Sequence, residues 1–180
     1  MNKERYLVWK NYEALSAAPE ALTEIIDGGA KNLIKNSNVS QTLNGVNFTV
    51  NSDGTVIVNG TATALVSYAV NTSKYPSGQY ALSGCPKNGS NTTYRLDIVD
   101  YTTGTPVVIA IDTGNGASFE LSDDDADYRT RIRIASGQTV DNLVFKPMLC
   151  TKAAWDISHQ YVPYRPSYDE LVARVEALKG

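Results

Sequence analysis

The chain has 180 residues, enough for one domain with a sizeable core plus terminal appendages, and its 42% hydrophobic content is that of a globular sequence rather than a disordered one. A formal net charge of −3 with no basic run argues against a nucleic-acid binder that tracks phosphates. No apolar run approaches the ~20 residues that span a bilayer, so no membrane insertion is expected; nor is a signal peptide, since the N-terminus lacks an apolar core with a small-residue cleavage site.

Residues 1–30 read as helical. Leu15, Leu22, Ile25 and Ile26 form a partial 3.6-residue stripe. Pro19 suits the first turn of a second helix, and Gly28-Gly29 a stop, so two short pieces are expected.

From residue 31 the chain becomes rich in Asn, Thr, Ser and Gly, and strands alternate with turns. Val46, Phe48 and Val50 share one face of the first strand. Asn51-Ser52-Asp53-Gly54 is a turn, and Thr55–Thr61 returns, which makes a hairpin. Further strands are expected at Ser67–Asn71, Tyr80–Ser83, Thr93–Asp100, Val107–Asp112, Ser118–Leu121, Thr130–Ala135 and Thr139–Met148. Gly- and Pro-bearing breaks separate them, with no helix between. This pattern predicts a mainly β protein: an antiparallel jelly-roll β-sandwich with short N-terminal and C-terminal helices. The expected core comprises Phe48, Val56, Val58, Leu96, Ile98, Ile109, Ile132, Ile134, Leu143 and Phe145. The N-x-S/T sequons at Asn38, Asn47, Asn59, Asn71, Asn88 and Asn91 are read as a by-product of an Asn/Thr-rich β-domain. The domain boundaries are drawn at 1–30, 31–165 and 166–180.

The last segment carries Ser167 and, three residues on, Glu170, a capping box. Tyr168, Leu171, Val175 and Leu178 follow a 3-4-3 spacing, the seam of a coiled coil. A helix this short needs a partner, either its own domain or copies of itself.

Chemistry-bearing residues are few. Cys85 and Cys150 lack metal-ligand spacing and His159 is the lone histidine, so no zinc site is expected. The two thiols form a disulfide if their strands are neighbours, or else fill core space. Asp123-Asp124-Asp125 with Asp127 offers oxygen ligands for Ca²⁺ but lacks EF-hand spacing; a solvated loop is the alternative. No Ser or Cys nucleophile motif accompanies His159, no carboxylate pair stands out, and the glycine patterns are turns, so neither an enzyme nor a cofactor is expected.

Two strands do carry a polar face. Arg129, Arg131 and Arg133 alternate with Thr130, Ile132 and Ile134, and Arg95 and Asp97 alternate with Tyr94, Leu96 and Ile98. Arg95, Asp97, Arg131 and Arg133 are candidate carbohydrate ligands, for sugar hydroxyls or an acidic glycan, with Tyr101 or Trp155 as a stacking plane. The alternative is a charged outer face closed by cross-strand pairs. As exposed positions, Arg131 and Arg133 are expected to cost no more than about 1 kcal/mol on replacement by alanine. Trp155, Tyr161 and Tyr164 meet a sugar or a subunit interface, or pin the tail to the domain.

The segments GAKNLI (29–34), GVNFTVNSDGTVIVNGTAT (45–63), GQYALSGCPKNGSNTTYRL (78–96) and TVDNLVFKPMLCTKAAWDISHQYVPY (139–164) together resemble a family of tail-associated proteins of phages and prophages of gut-type Gram-positive bacteria. The resemblance covers roughly residues 29–166. It implies a carbohydrate-binding-module-like, galactose-binding-like jelly roll on a tail fibre, baseplate or receptor-binding protein, and it brings no fixed ligand or catalytic residues. The expected partners are host-surface glycan, other tail proteins and further copies of the chain as a homo-oligomer, a trimer by expectation. The expected location is the virion tail, or the bacterial cytoplasm before assembly. A purely architectural tail module that binds no sugar is the alternative.

Overall fold

The computed structural model describes residues 31–36, 39–167, 170, 172, 173 and 177. The N-terminal helical segment and the seam residues Tyr168, Leu171, Val175 and Leu178 lie outside the described residues.

The fold is mainly β: the described residues form eleven strands in three antiparallel sheets and a short helix, α1 (Lys152–Ile157). One sheet has the order β1 (Gln41–Leu43), β2 (Val46–Val50), β3 (Val56–Thr61), β10 (Thr139–Phe145). A second runs β11 (Met148–Thr151), β5 (Gly78–Ser83), β8 (Ala117–Leu121). The third runs β4 (Val66–Ser73), β9 (Tyr128–Ile134), β6 (Tyr94–Asp100), β7 (Val107–Asp112).

The expected single strand Thr139–Met148 is two strands. Pro147 has no N–H for a ladder and interrupts it. The chain thereby leaves β3 as β10 and joins β5 as β11, linking the first two sheets. The third sheet packs against them, sandwich-like. Phe48 of β2 stacks on Tyr68 of β4 with ring centroids 4.4 Å apart, and Tyr94 of β6 meets Phe145 of β10 edge-on at 6.2 Å.

The alternation read from the sequence sets this core. Phe48, Val56, Val58, Leu96, Ile98, Ile132, Ile134 and Phe145 are buried, while Ile109 and Leu143 are partly buried against the same cluster. Their strands are irregular there, with a register shift between Ile98 and Val99 opposite β7 and another between Val140 and Leu143. The 51–54 turn closes as expected: Gly54 takes φ 83°, and the Asp53 carboxylate accepts from the Thr55 N–H at 3.0 Å and hydroxyl at 2.7 Å. Those bonds hold the Asp53 carboxyl below its usual range, the hydroxyl contributing most.

The entry segment is latched by buried Asn32. Its amide donates to Pro147 O at 3.0 Å, and its Oδ1 accepts from the Ile34 and Leu149 N–H groups at 2.9 and 3.2 Å. No disulfide forms. Cys85 faces the main core, whereas Cys150 lies in a separate cluster with Ala81, Met148 and Ala154 beneath α1. Burial pushes the two thiols up to about 12 and about 11.

At the C-terminal end the capping box is present. The Glu170 N–H donates to Ser167 Oγ at 3.2 Å, and the Ser167 N–H donates back to Glu170 Oε2 at 2.9 Å. Tyr164 also donates to that carboxylate, and Lys35 Nζ pairs with it at 3.3 Å. The Tyr164 hydrogen bond chiefly, then the Ser167 N–H, hold Glu170 down to about 2 from an ordinary 4.5. A depressed carboxyl stabilises above its unfolded value, so the cap is intact above about pH 4.5 and is lost as pH falls towards about 2. The Ser167 amide proton should therefore shift across that window in an NMR titration and stay put in Glu170→Gln. A wild-type midpoint near 4.5 would contradict the cap.

Candidate functional site

The sequence-predicted residues fall in two places. Arg95, Asp97, Arg131 and Arg133 share the outer face of the β4-β9-β6-β7 sheet, opposite the core residues Leu96, Ile98, Ile132 and Ile134. Tyr101 joins them from just past β6, with the Arg129 guanidinium 3.6 Å from its ring centroid. Trp155 lies elsewhere, on α1, which packs on β5 and β11 of another sheet.

Arg131 and Asp97 are not exposed positions, contrary to expectation. Asp97 is 0% and Arg131 6% exposed. Arg131 Nε and Nη2 bind Asp97 Oδ1 and Oδ2 at 2.8 and 3.1 Å, a bidentate pair. Strand β9 is interior to the sheet, and Arg131 sits between Ala69 of β4 and Asp97 of β6. The small Ala69 leaves the space in which the long side chain is enclosed by its neighbours. Period 2 told which face these residues occupy, but not what surrounds them there.

Trp155 lines a cleft of about 360 Å³ that residue spacing did not announce. Three loops and α1 build it. The loop 112–116 is organised by Asp112, which is 1% exposed. Its Oδ1 accepts from the N–H groups of Gly114, Asn115 and Gly116 at 2.7, 3.1 and 2.8 Å, and its Oδ2 from the Cys85 N–H at 2.8 Å. One buried carboxylate thus ties the 112–116 loop to the turn after β5. Gly114 makes their close approach possible, because a Cβ there would lie 2.7 Å from Lys87 Cα.

The helix α1 supplies the aromatic wall. Thr151 caps it, accepting from the Ala154 N–H at 3.3 Å, and Lys152 pairs with Asp156 one turn on at 2.6 Å. The chain leaves the helix at Ser158 in extended backbone, which brings the His159 ring parallel to Trp155 at 4.1 Å and 10°. Gly116 leaves room for the indole; a Cβ there would lie 2.6 Å from Trp155 Cζ2. Tyr161 completes the wall. It is pinned by its hydroxyl, which donates to Asp53 O at 2.7 Å, and burial first, then the Asp53 charge, push its phenol up to about 12. Lys87, held to Asn115 Oδ1 at 2.8 Å, and Lys146 add cationic donors at the rim.

The cleft is therefore lined by three rings, by amine and amide donors, and by glycine backbone. That arrangement can stack the apolar face of a ring and hydrogen-bond its substituents. The remaining aromatic of the tail, Tyr164, is engaged with Glu170 and serves as a pin.

The acidic run is a loop tied to its surroundings. Asp124 accepts from the Ser77 N–H and hydroxyl, and Asp125 pairs with Lys74 at 3.4 Å. Among the described residues no group of three or more His, Cys, Asp or Glu side chains is placed to hold a metal ion, and no helix is long and apolar enough to cross a membrane. No protein-family model matches the chain, and no curated protein matches it.

Proposed function

We propose that this protein is a non-enzymatic component of a phage or prophage tail whose β-sandwich, of jelly-roll topology, binds host-surface carbohydrate in the cleft beside Trp155. The observation that carries the reading is the pairing of the Trp155–His159–Tyr161 wall with the donors Lys87, Asn115 and Lys146 in one small cleft. Sugars offer an apolar C–H face and a rim of hydroxyls; the rings suit the first and the donors the second. Its volume lies at the low end of the ~300–1,000 Å³ of small-ligand sites, so a short terminal saccharide is the fitting occupant. Affinity per site is of the order of 10⁻⁴ M or looser, made useful by several copies on one particle. The tail assignment follows from the sequence resemblance.

An array of bacterial surface glycans tests the reading. Wild-type chain should retain a defined set of saccharides, and His159→Ala and Lys87→Ala should each weaken retention roughly tenfold, as expected for one lost stacking or charged contact. Retention of nothing, or equal retention by the variants, overturns it.

A second reading, a purely architectural oligomerisation or bridging module of the tail that binds no sugar, is favoured by edge strand β7, where Val107 and Val108 are 57% and 45% exposed. An oligomer by light scattering together with no glycan retained on the array supports it; a monomeric chain removes it.

A further inference from the structure

The outer face of the β4-β9-β6-β7 sheet holds more charge than it neutralises. Arg95, Arg129, Arg131 and Arg133 share it, and among the described residues the ion pairs made by these arginines both run to Asp97. Arg129 and Arg133 are thus left without an ion pair there, in a chain whose net charge is −3.

Asp97 is fully used. Besides its two bonds to Arg131, it accepts from Arg95 Nη2 and Nε at 3.3 and 3.4 Å, and Arg95 Nη1 donates to Asn91 at 2.8 Å. Arg129 and Arg133 have no carboxylate within salt-bridge distance among the described residues. Both are half-buried, and the Nε of each is buried without a hydrogen-bond partner. Arg133 stands directly opposite Arg95 in the register. Like charges facing each other across strands destabilise a sheet, and half-buried guanidinium groups are only partly relieved by water. Burial first, then the charge of Arg131, push the Arg133 guanidinium below its usual value, with Asp97 opposing them in part.

The row also has a period. Arg129, Arg131 and Arg133 are two residues apart on one strand, so their stems repeat every ~6.7 Å. A single small anion meets one of them; a chain molecule with regularly spaced acidic groups meets several. An arginine fork grips carboxylate and phosphate oxygens in the same bidentate way.

We infer that this face is a second binding surface, for an acidic polysaccharide whose carboxylate or phosphate groups meet Arg129, Arg133 and Arg95, with the Arg131–Asp97 pair as the positioning element that holds the row. The inference rests on the carbohydrate-binding reading and extends it to a set of residues other than those lining the Trp155 cleft. The aromatic surface offered here is Tyr101, already covered by Arg129, so recognition is by charge rather than by stacking.

The test is calorimetric titration of the full chain with oligogalacturonate, poly(glycerol phosphate), neutral dextran and polyglutamate, at low and at raised salt. One of the two acidic polysaccharides should bind, the acid group being identified by which one. Dextran should not bind, and binding should weaken as salt rises. Arg133→Gln and Arg129→Gln should each lower the affinity roughly tenfold, the size of one charged hydrogen-bonded contact. Arg133→Lys, which keeps the charge and loses the fork, should restore it in part, and His159→Ala in the cleft should leave it unchanged. Absence of binding by both polysaccharides overturns the inference, as does undiminished binding by both glutamine variants. Tighter binding of polyglutamate than of either polysaccharide also overturns it and marks the face as a dock for acidic protein. Failure here with glycans still retained through His159 and Lys87 leaves the cleft reading intact; the reverse pattern removes the cleft and keeps the face.

Discussion

Arg131→Ala is expected to destabilise the domain by about 3–5 kcal/mol, the cost of stripping one partner from a buried ion pair. Asp97 has no exposed surface, and two of its hydrogen bonds come from Arg131. Without them it is left buried with Arg95, whose contacts are longer at 3.3 and 3.4 Å. The loss should exceed that of Arg133→Ala, which breaks no ion pair among the described residues. The double replacement Asp97→Leu with Arg131→Met should recover much of the deficit, because it removes both charges and keeps apolar volume. Urea unfolding of the three variants measures this. A loss under 1 kcal/mol for Arg131→Ala would return Arg131 to the exposed role that its sequence pattern suggested.

Gly84→Ala is expected to cost about 3 kcal/mol or more, through left-handed strain together with overpacking. Gly84 has φ 109°, and a Cβ there would lie 1.8 Å from Lys146 O and 2.3 Å from its carbonyl carbon. Both obstacles are backbone, so no rotamer relieves them. The contact sits where the chain passes from β10 to β11, and the Lys146 N–H donates to Gly84 O at 2.8 Å. Displacing Lys146 disturbs both the link between two sheets and one rim of the cleft. Gly104→Ala is the control. Its φ of 80° carries similar strain, but nothing lies within 4 Å, so it should cost only about 1 kcal/mol. Equal losses for the two would mean that the Gly84 crossing is not tight.

The strands were legible because burial on one face leaves a period of two in the residues. VNFTV and TVIVNG show it plainly, with Asp53-Gly54 between them, and their register is the hairpin observed. The Ser167–Glu170 box was legible because a cap is a local exchange between two side chains and two amides. What the sequence left hidden is non-local. Helix α1 is too short to show a 3.6-residue stripe; Thr151 before Lys-Ala-Ala was its signal, a cap followed by helix formers. Pro147 signals a break locally, since it cannot donate to a ladder, but not that the chain then joins a second sheet, where Gly84 lies against Lys146. The cleft draws on positions near 84, 114, 146 and 159, so no spacing in the chain could mark it. Asp112 ahead of Thr-Gly-Asn-Gly was the one local hint, a carboxylate followed by small residues that let backbone amides converge.

The claim that the cleft binds sugar is tested most directly at Trp155 itself. In chain labelled with ¹⁵N and carrying Trp9→Phe, a single indole N–H resonance remains, that of Trp155. Titration with a saccharide retained on the array should move that resonance saturably, with the dissociation constant found by calorimetry, and His159→Ala should weaken both together. A saccharide that binds by calorimetry while the indole resonance stays fixed would place the binding elsewhere and contradict the account.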